Sequence, residues 1–118
     1  MKLILLSMLA TIVAAVSLAA VAQSAPTAQT VRVTEKSFSI ALSAKPKAGA
    51  VKFVVRNASG DAHDLWLRGG GKTWKTRVIG GQRSSTLAAT LRKGVRYTFW
   101  CGVGAHRAAG MQGSFVAR

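Results

Sequence analysis

A one-domain all-β sandwich is the fold this sequence predicts, and three observations lead to it. Apolar and polar residues alternate with period two over short segments, the pattern of strands with one buried face. Clusters of Gly, Pro, Asn and Ser separate those segments at fairly regular intervals, as turns do in sandwiches. The third is composition: 49% hydrophobic against 17% charged residues over 118 positions suits a packed globule, not a disordered chain.

In chain order, the first 22 residues stand apart. Met1-Lys2 is a short basic start, and residues 3–22 are apolar except for Ser7, Thr11 and Ser17, ending on Ala20-Val21-Ala22. A basic start, an apolar run and a small-x-small ending describe an export signal, cleaved after Ala22 or near Ser24 and Ala25. The run is also long enough for an uncleaved membrane anchor. No Cys follows it, which excludes a lipid anchor on a processed N-terminal cysteine. Residues 23–30 have neither periodicity nor bulk and are expected to form a flexible lead-in.

The folded domain is expected over residues 31–118. Val31 and Val33 alternate, then Phe38 and Ile40; Val51, Phe53 and Val55 alternate with Lys52, Val54 and Arg56. Leu65 and Leu67 flank Trp66, Tyr97, Phe99 and Cys101 alternate with Thr98 and Trp100, and Phe115 and Ala117 form the last such pair. Turn signals fall at 45–49, 57–60, 69–71, 80–81 and 93–94. Over residues 84–91 the apolar spacing suits either a helix or a strand, and Thr86, Thr90 and the following Gly94 favour the strand.

Charge and cysteine content narrow the chemistry. Seventeen Lys and Arg against three acidic residues give a net charge of +14, which draws the protein to anionic partners. Nucleic acid is excluded as the partner, because the cations are spread from Arg32 to Arg118 without a dense run and export removes the chain from most nucleic acid. An acidic redox protein or an anionic envelope surface is expected instead, approached by a monomer. One cysteine cannot make an internal disulfide, and exported chains avoid free thiols because they oxidise, so Cys101 needs a purpose.

That purpose is legible in the scarcity of metal-binding residue types. Beyond the leader, every His, Cys and Met belongs to one set: His63, Cys101, His106 and Met111. Two imidazoles, a thiolate and a weak thioether are the donor set of a mononuclear type 1 copper centre, with His2Cys in a trigonal plane and Met at a long axial distance. Cys101, His106 and Met111 share one loop in which Gly102, Gly104 and Gly110 let the backbone turn tightly. His63 comes from elsewhere in sequence, just past the 57–60 turn.

The motifs Asn57-x-x-Gly60-x-x-His63, Leu91-x-x-Gly94-x-x-Tyr97-x-Phe99-x-Cys101 and His106-x4-Met111-x-Gly113 resemble those of the cupredoxins, the family of plastocyanin, azurin and auracyanin. The resemblance covers residues 50–67 and 87–118. It implies a Greek-key antiparallel β-sandwich holding one copper ion, and one-electron carriage between larger redox proteins with no enzymatic activity. It further implies that the Asp64 N–H hydrogen-bonds the Cys101 sulfur and that the Ala62 carbonyl approaches the metal. Electrons are expected to pass through His106 at a small apolar patch of Gly102, Val103, Ala108 and Ala109. Trp100, beside Cys101, marks either a second route or a surface-packed aromatic. Two departures stand out: the Cys loop has no Pro before His106, and Asp64 replaces the usual Asn, so that its carboxylate either ties down the loop or faces solvent.

Other readings of the same residues are weaker. A catalytic zinc site would leave the Met unexplained and lacks a nearby Glu. A cysteine nucleophile with a His base leaves the second His and Met111 unused. A copper-delivery protein of the envelope remains the alternative to an electron carrier, although the chain has no spare Met or His with which to pass metal on. Gly71-Lys72-Thr73 lacks the first Gly of a phosphate loop, and Asn57-Ala58-Ser59 matches a glycosylation acceptor but is read as a turn before the His63 strand.

Overall fold

Period-two burial runs through the strands of the computed structural model, which describes residues 12–22 and 27–118. Eight strands follow in order: β1 (Gln29–Lys36), β2 (Ser39–Leu42), β3 (Gly49–Asn57), β4 (Trp66–Gly69), β5 (Lys72–Lys75), β6 (Ser84–Leu91), β7 (Arg96–Trp100) and β8 (Gln112–Val116). They form two four-stranded sheets, ordered β2-β1-β3-β6 and β5-β4-β7-β8. Val31, Val33, Val51, Phe53, Val55, Leu87 and Leu91 of the first sheet meet Leu67, Tyr97, Phe99 and Phe115 of the second in one core. Residues 84–91 are a strand, as Thr86 and Thr90 suggested, and β6 forms one rim of its sheet.

The sandwich is all-β, and one pair departs from the antiparallel rule. β1 and β3 run parallel, with Val31 opposite Phe53 and Val33 opposite Val55. The reason is connectivity: β2 folds back on β1, so the chain returns to the start of β1 and enters β3 on its other side, running the same way. The remaining pairs are antiparallel.

Several boundaries differ from the sequence reading. Gln29 and Thr30, expected in the lead-in, already pair with Val51 and Lys52. Phe38 lies in the turn between β1 and β2 and is 44% exposed. β5 went unforeseen because Trp74 is its one apolar residue; it is an edge strand whose other residues face water. Gly70 and Gly71, with φ of 58° and 77°, form the two-residue tip of the β4–β5 hairpin. Two successive positive φ values match the twist of the flanking strands, and glycine adopts them without strain. A hairpin there rules out a phosphate loop, which needs a helix after the glycines.

The proposed leader and lead-in fall partly on residues 1–11 and 23–26, outside the described residues. Residues 12–22 have no helix or strand and leave Ile12, Val13, Val16, Leu18 and Val21 exposed. Among the described residues no helix is long and apolar enough to cross a membrane.

Candidate metal centre

At one end of the sandwich, two structural devices bring distant residues together. His63, in the connection between β3 and β4, is held by a two-way backbone bridge to Ile79, with N···O distances of 3.1 and 2.6 Å. Cys101 directly follows β7, and its N–H donates to the Met111 carbonyl at 3.1 Å, closing the base of the loop between them. Inside that loop the chain winds through tight turns: His106 N–H donates to Val103, Gly110 N–H to Arg107, and Met111 N–H to His106. Gly104 and Gly110, with φ of 49° and 119°, supply the left-handed positions such winding needs.

The ligand atoms converge. His63 Nδ1 and His106 Nδ1 are 3.1 Å apart, and Cys101 Sγ lies 3.8 Å from the first and 3.6 Å from the second. A small ion with metal–nitrogen bonds of about 2.0 Å and a metal–sulfur bond of about 2.3 Å needs trigonal edges of roughly 3.5 Å and 3.7 Å. The donors therefore stand close to the separations a three-coordinate plane requires. His63, Cys101 and Met111 are fully buried, and His106 is half-buried. Met111 joins the site through its backbone, bonded to both Cys101 and His106.

Electrostatics fit a site built for a cation. Burial pushes the Cys101 thiol above its ordinary pKa, against the opposing pull of hydrogen bonds from the Asp64 and Val103 backbone amides. Burial, and then the adjacent His106, hold His63 below the usual imidazole value. Both effects favour uncharged ligands until a positive ion arrives and displaces the thiol proton.

Asp64 also resolves the alternatives left for its side chain. One carboxylate oxygen accepts the Gly102 N–H at 2.6 Å and the other accepts Trp66 Nε1–H at 3.0 Å. It is 7% exposed and ties the Cys loop to β4. Trp66 stacks on Trp100 with ring centroids 5.8 Å apart, and the Arg107 guanidinium covers the Trp100 ring at 4.4 Å. Trp100 is thus a packed aromatic on the outer face, capped by cations. Gly102, Ala108 and Ala109 are exposed and Val103 is half-buried around His106.

Three further residues take part. Phe38 stands against His106, ring centroids 5.0 Å apart; its alternation with Ile40 had suggested a strand. Asn57 is fully buried, with its amide donating to the Asp61 and Ile79 carbonyls and accepting from Ser59, so it anchors the turn read from the sequence and is no glycosylation acceptor. The Ser59 hydroxyl reaches His63 Nε2 at 2.9 Å, and only the Asn-x-Ser turn pattern pointed toward it.

Comparison with solved structures places this fold. Na-dithionite-reduced auracyanin from the photosynthetic bacterium Roseiflexus castenholzii aligns with a TM-score of 0.64 at 18% identity, covering 79% of this chain and 99% of that one. Auracyanin B aligns with a TM-score of 0.64 at 18% identity, covering 81% and 93%. A multicopper oxidase aligns with a TM-score of 0.51 at 16% identity, over 75% of this chain and 41% of that one. No protein-family model and no curated protein sequence matches the chain. The likeness establishes the cupredoxin sandwich as the fold.

Proposed function

We propose that this chain is an exported mononuclear type 1 copper protein that carries single electrons between larger redox proteins. The observation that carries the reading is the meeting of two imidazole Nδ1 atoms and one thiol at 3.1–3.8 Å on a sandwich like that of auracyanin. His63, Cys101 and His106, together with Met111, would hold the ion, and this soft combination of donors favours copper over zinc. Copper, when bound, supplies a one-electron couple.

The chain's own residues supply the rest. The bridge to Ile79, the Asp64 carboxylate on Gly102 and the closed base of the loop hold the donors still, so a change of charge at the site meets little rearrangement. Burial of His63, Cys101 and Met111 excludes water, leaving the half-buried His106 ring as the conductor to a partner. The same burial argues against copper delivery, which calls for donors that release metal easily. Export rests on the apolar run over residues 3–22 and places the carrier in the periplasm or outside the cell.

Spectroscopy tests the reading. One Cu(II) per chain should give an intense thiolate-to-copper band toward the red end of the visible spectrum; Cys101→Ala should abolish it, and Met111→Leu should keep copper and colour while raising the potential. A colourless wild-type protein that prefers zinc under matched conditions would overturn the assignment.

A further inference from the structure

The two nitrogens of His63 have different tasks, and a hydrogen-bond chain decides which of them carries the proton. The chain begins at Asn57. Its Nδ2 donates to the carbonyls of Asp61 at 2.6 Å and Ile79 at 2.9 Å, so the amide can face only one way and Oδ1 is an acceptor. The Ser59 hydroxyl oxygen lies 2.8 Å from that Oδ1, 3.2 Å from the Asp61 carbonyl and 2.9 Å from His63 Nε2. A hydroxyl has one proton to give and lone pairs to receive with. If the proton pointed at Nε2, lone pairs of Ser59 and Asn57 would face each other at 2.8 Å with nothing between them. If it points at Asn57, the ring's Nε2–H fills a remaining lone pair, and only the longer 3.2 Å contact to the Asp61 carbonyl goes without a proton, an oxygen that already accepts from Asn57 Nδ2.

We infer that Ser59 is a positioning residue for the metal ligand: its hydroxyl, oriented by Asn57, holds His63 as the Nε2–H tautomer, so that the Nδ1 lone pair faces Cys101 and His106 before any ion arrives. The inference rests on reading His63 as a ligand. It also explains the 3.1 Å contact between the two Nδ1 atoms, which in the metal-free protein is a hydrogen bond donated by His106. An acceptor on the far N–H makes an imidazole a better donor to metal, which favours Cu(II) over Cu(I).

The test uses the full chain with Ser59→Ala, Ser59→Thr and Ser59→Val, the last two matched in shape and differing in the hydroxyl. Long-range proton–nitrogen NMR of the metal-free protein should show His63 as Nε2–H in the wild type and in Ser59→Thr, and a mixture of tautomers in Ser59→Ala and Ser59→Val. Competition with a chelator should show Cu(II) binding about 10- to 100-fold weaker in Ser59→Ala and Ser59→Val, with a raised potential and near-wild-type behaviour in Ser59→Thr. An Nδ1–H wild type, or Ser59→Val matching Ser59→Thr in tautomer and affinity, would overturn the inference. A wild type that holds His63 as Nε2–H yet binds no copper would instead sink the electron-carrier reading and leave the hydroxyl chain standing.

Discussion

Glu35 sits on the inward face of β1, opposite Asn57, fully buried and with neither carboxylate oxygen hydrogen-bonded among the described residues. Burial, and secondarily the Asp64 charge, push its pKa from 4.5 up to about 8. At neutral pH it is therefore protonated in the folded protein and ionised in the unfolded chain. The folded state holds the extra proton, so this contribution to stability is complete below pH 4.5 and is lost as pH rises toward about 8, at about 1.4 kcal/mol per pH unit within that interval. His63, shifted downward, acts oppositely but only as pH falls below its ordinary value, which leaves the interval above about pH 7 to Glu35. Denaturant midpoints of the metal-free protein should fall between about pH 7 and 8, and Glu35→Gln should flatten the decline. An equal slope in the variant would assign it elsewhere. The three residues that meet, His63, Cys101 and His106, were legible because His, Cys and Met are scarce in this chain; Glu35 and Ser59 were not, since only the strand partners of β1 and the path of the 57–63 turn give those ordinary residue types a special place.

The element that organises the site is the loop from Cys101 to Met111, and its glycines do different work. Positive φ explains Gly104 and Gly110, as sequence reasoning expected. Gly102 is needed for space: a methyl group there would collide with the Trp66 indole, whose Nε1–H shares Asp64 with the Gly102 N–H. Gly102→Ala should therefore cost about 1–3 kcal/mol and shift the visible band of the copper-loaded protein, because the indole or the Cys loop must move. A thermal midpoint and spectrum unchanged from wild type would show that the loop yields freely. Legibility at this scale followed apolar content. β6, with Leu87, Ala89 and Leu91 buried at alternate positions, had enough apolar residues to mark an element, and Thr86, Thr90 and Gly94 decided its type, whereas β5, pinned mainly by pairing with β4, gave no period to find.

Over the whole molecule, charge is the dominant feature. With a net charge of +14 on the full chain, lowered by one if Lys2 leaves with the leader, encounter with an acidic electron acceptor should be steered over long range. Steering fades as the Debye length shrinks from about 30 Å at 0.01 M salt to about 8 Å at 0.15 M. Stopped-flow rates with an acidic acceptor should fall across that range, and rates with a basic acceptor should rise; equal and salt-independent rates would dismiss steering. Arg107 and Lys75 contribute near the site, over Trp100 and Trp66 respectively. The fold class was legible from alternation and turns, while the parallel β1–β3 pair was not, because alternation records which face is buried and not which way a neighbour runs.

The same charge bears on β6. It is an edge strand of eight residues, Ser-Ser-Thr-Leu-Ala-Ala-Thr-Leu, with no charged side chain and no proline. Such an edge offers unpaired backbone groups to another copy of itself. Two molecules of this protein repel each other before those edges can meet, so the cations proposed to steer an acidic partner also act as the protein's defence against itself. Concentrated salt disarms that defence, and with it goes the barrier between a dissolved protein and a growing stack of joined sheets.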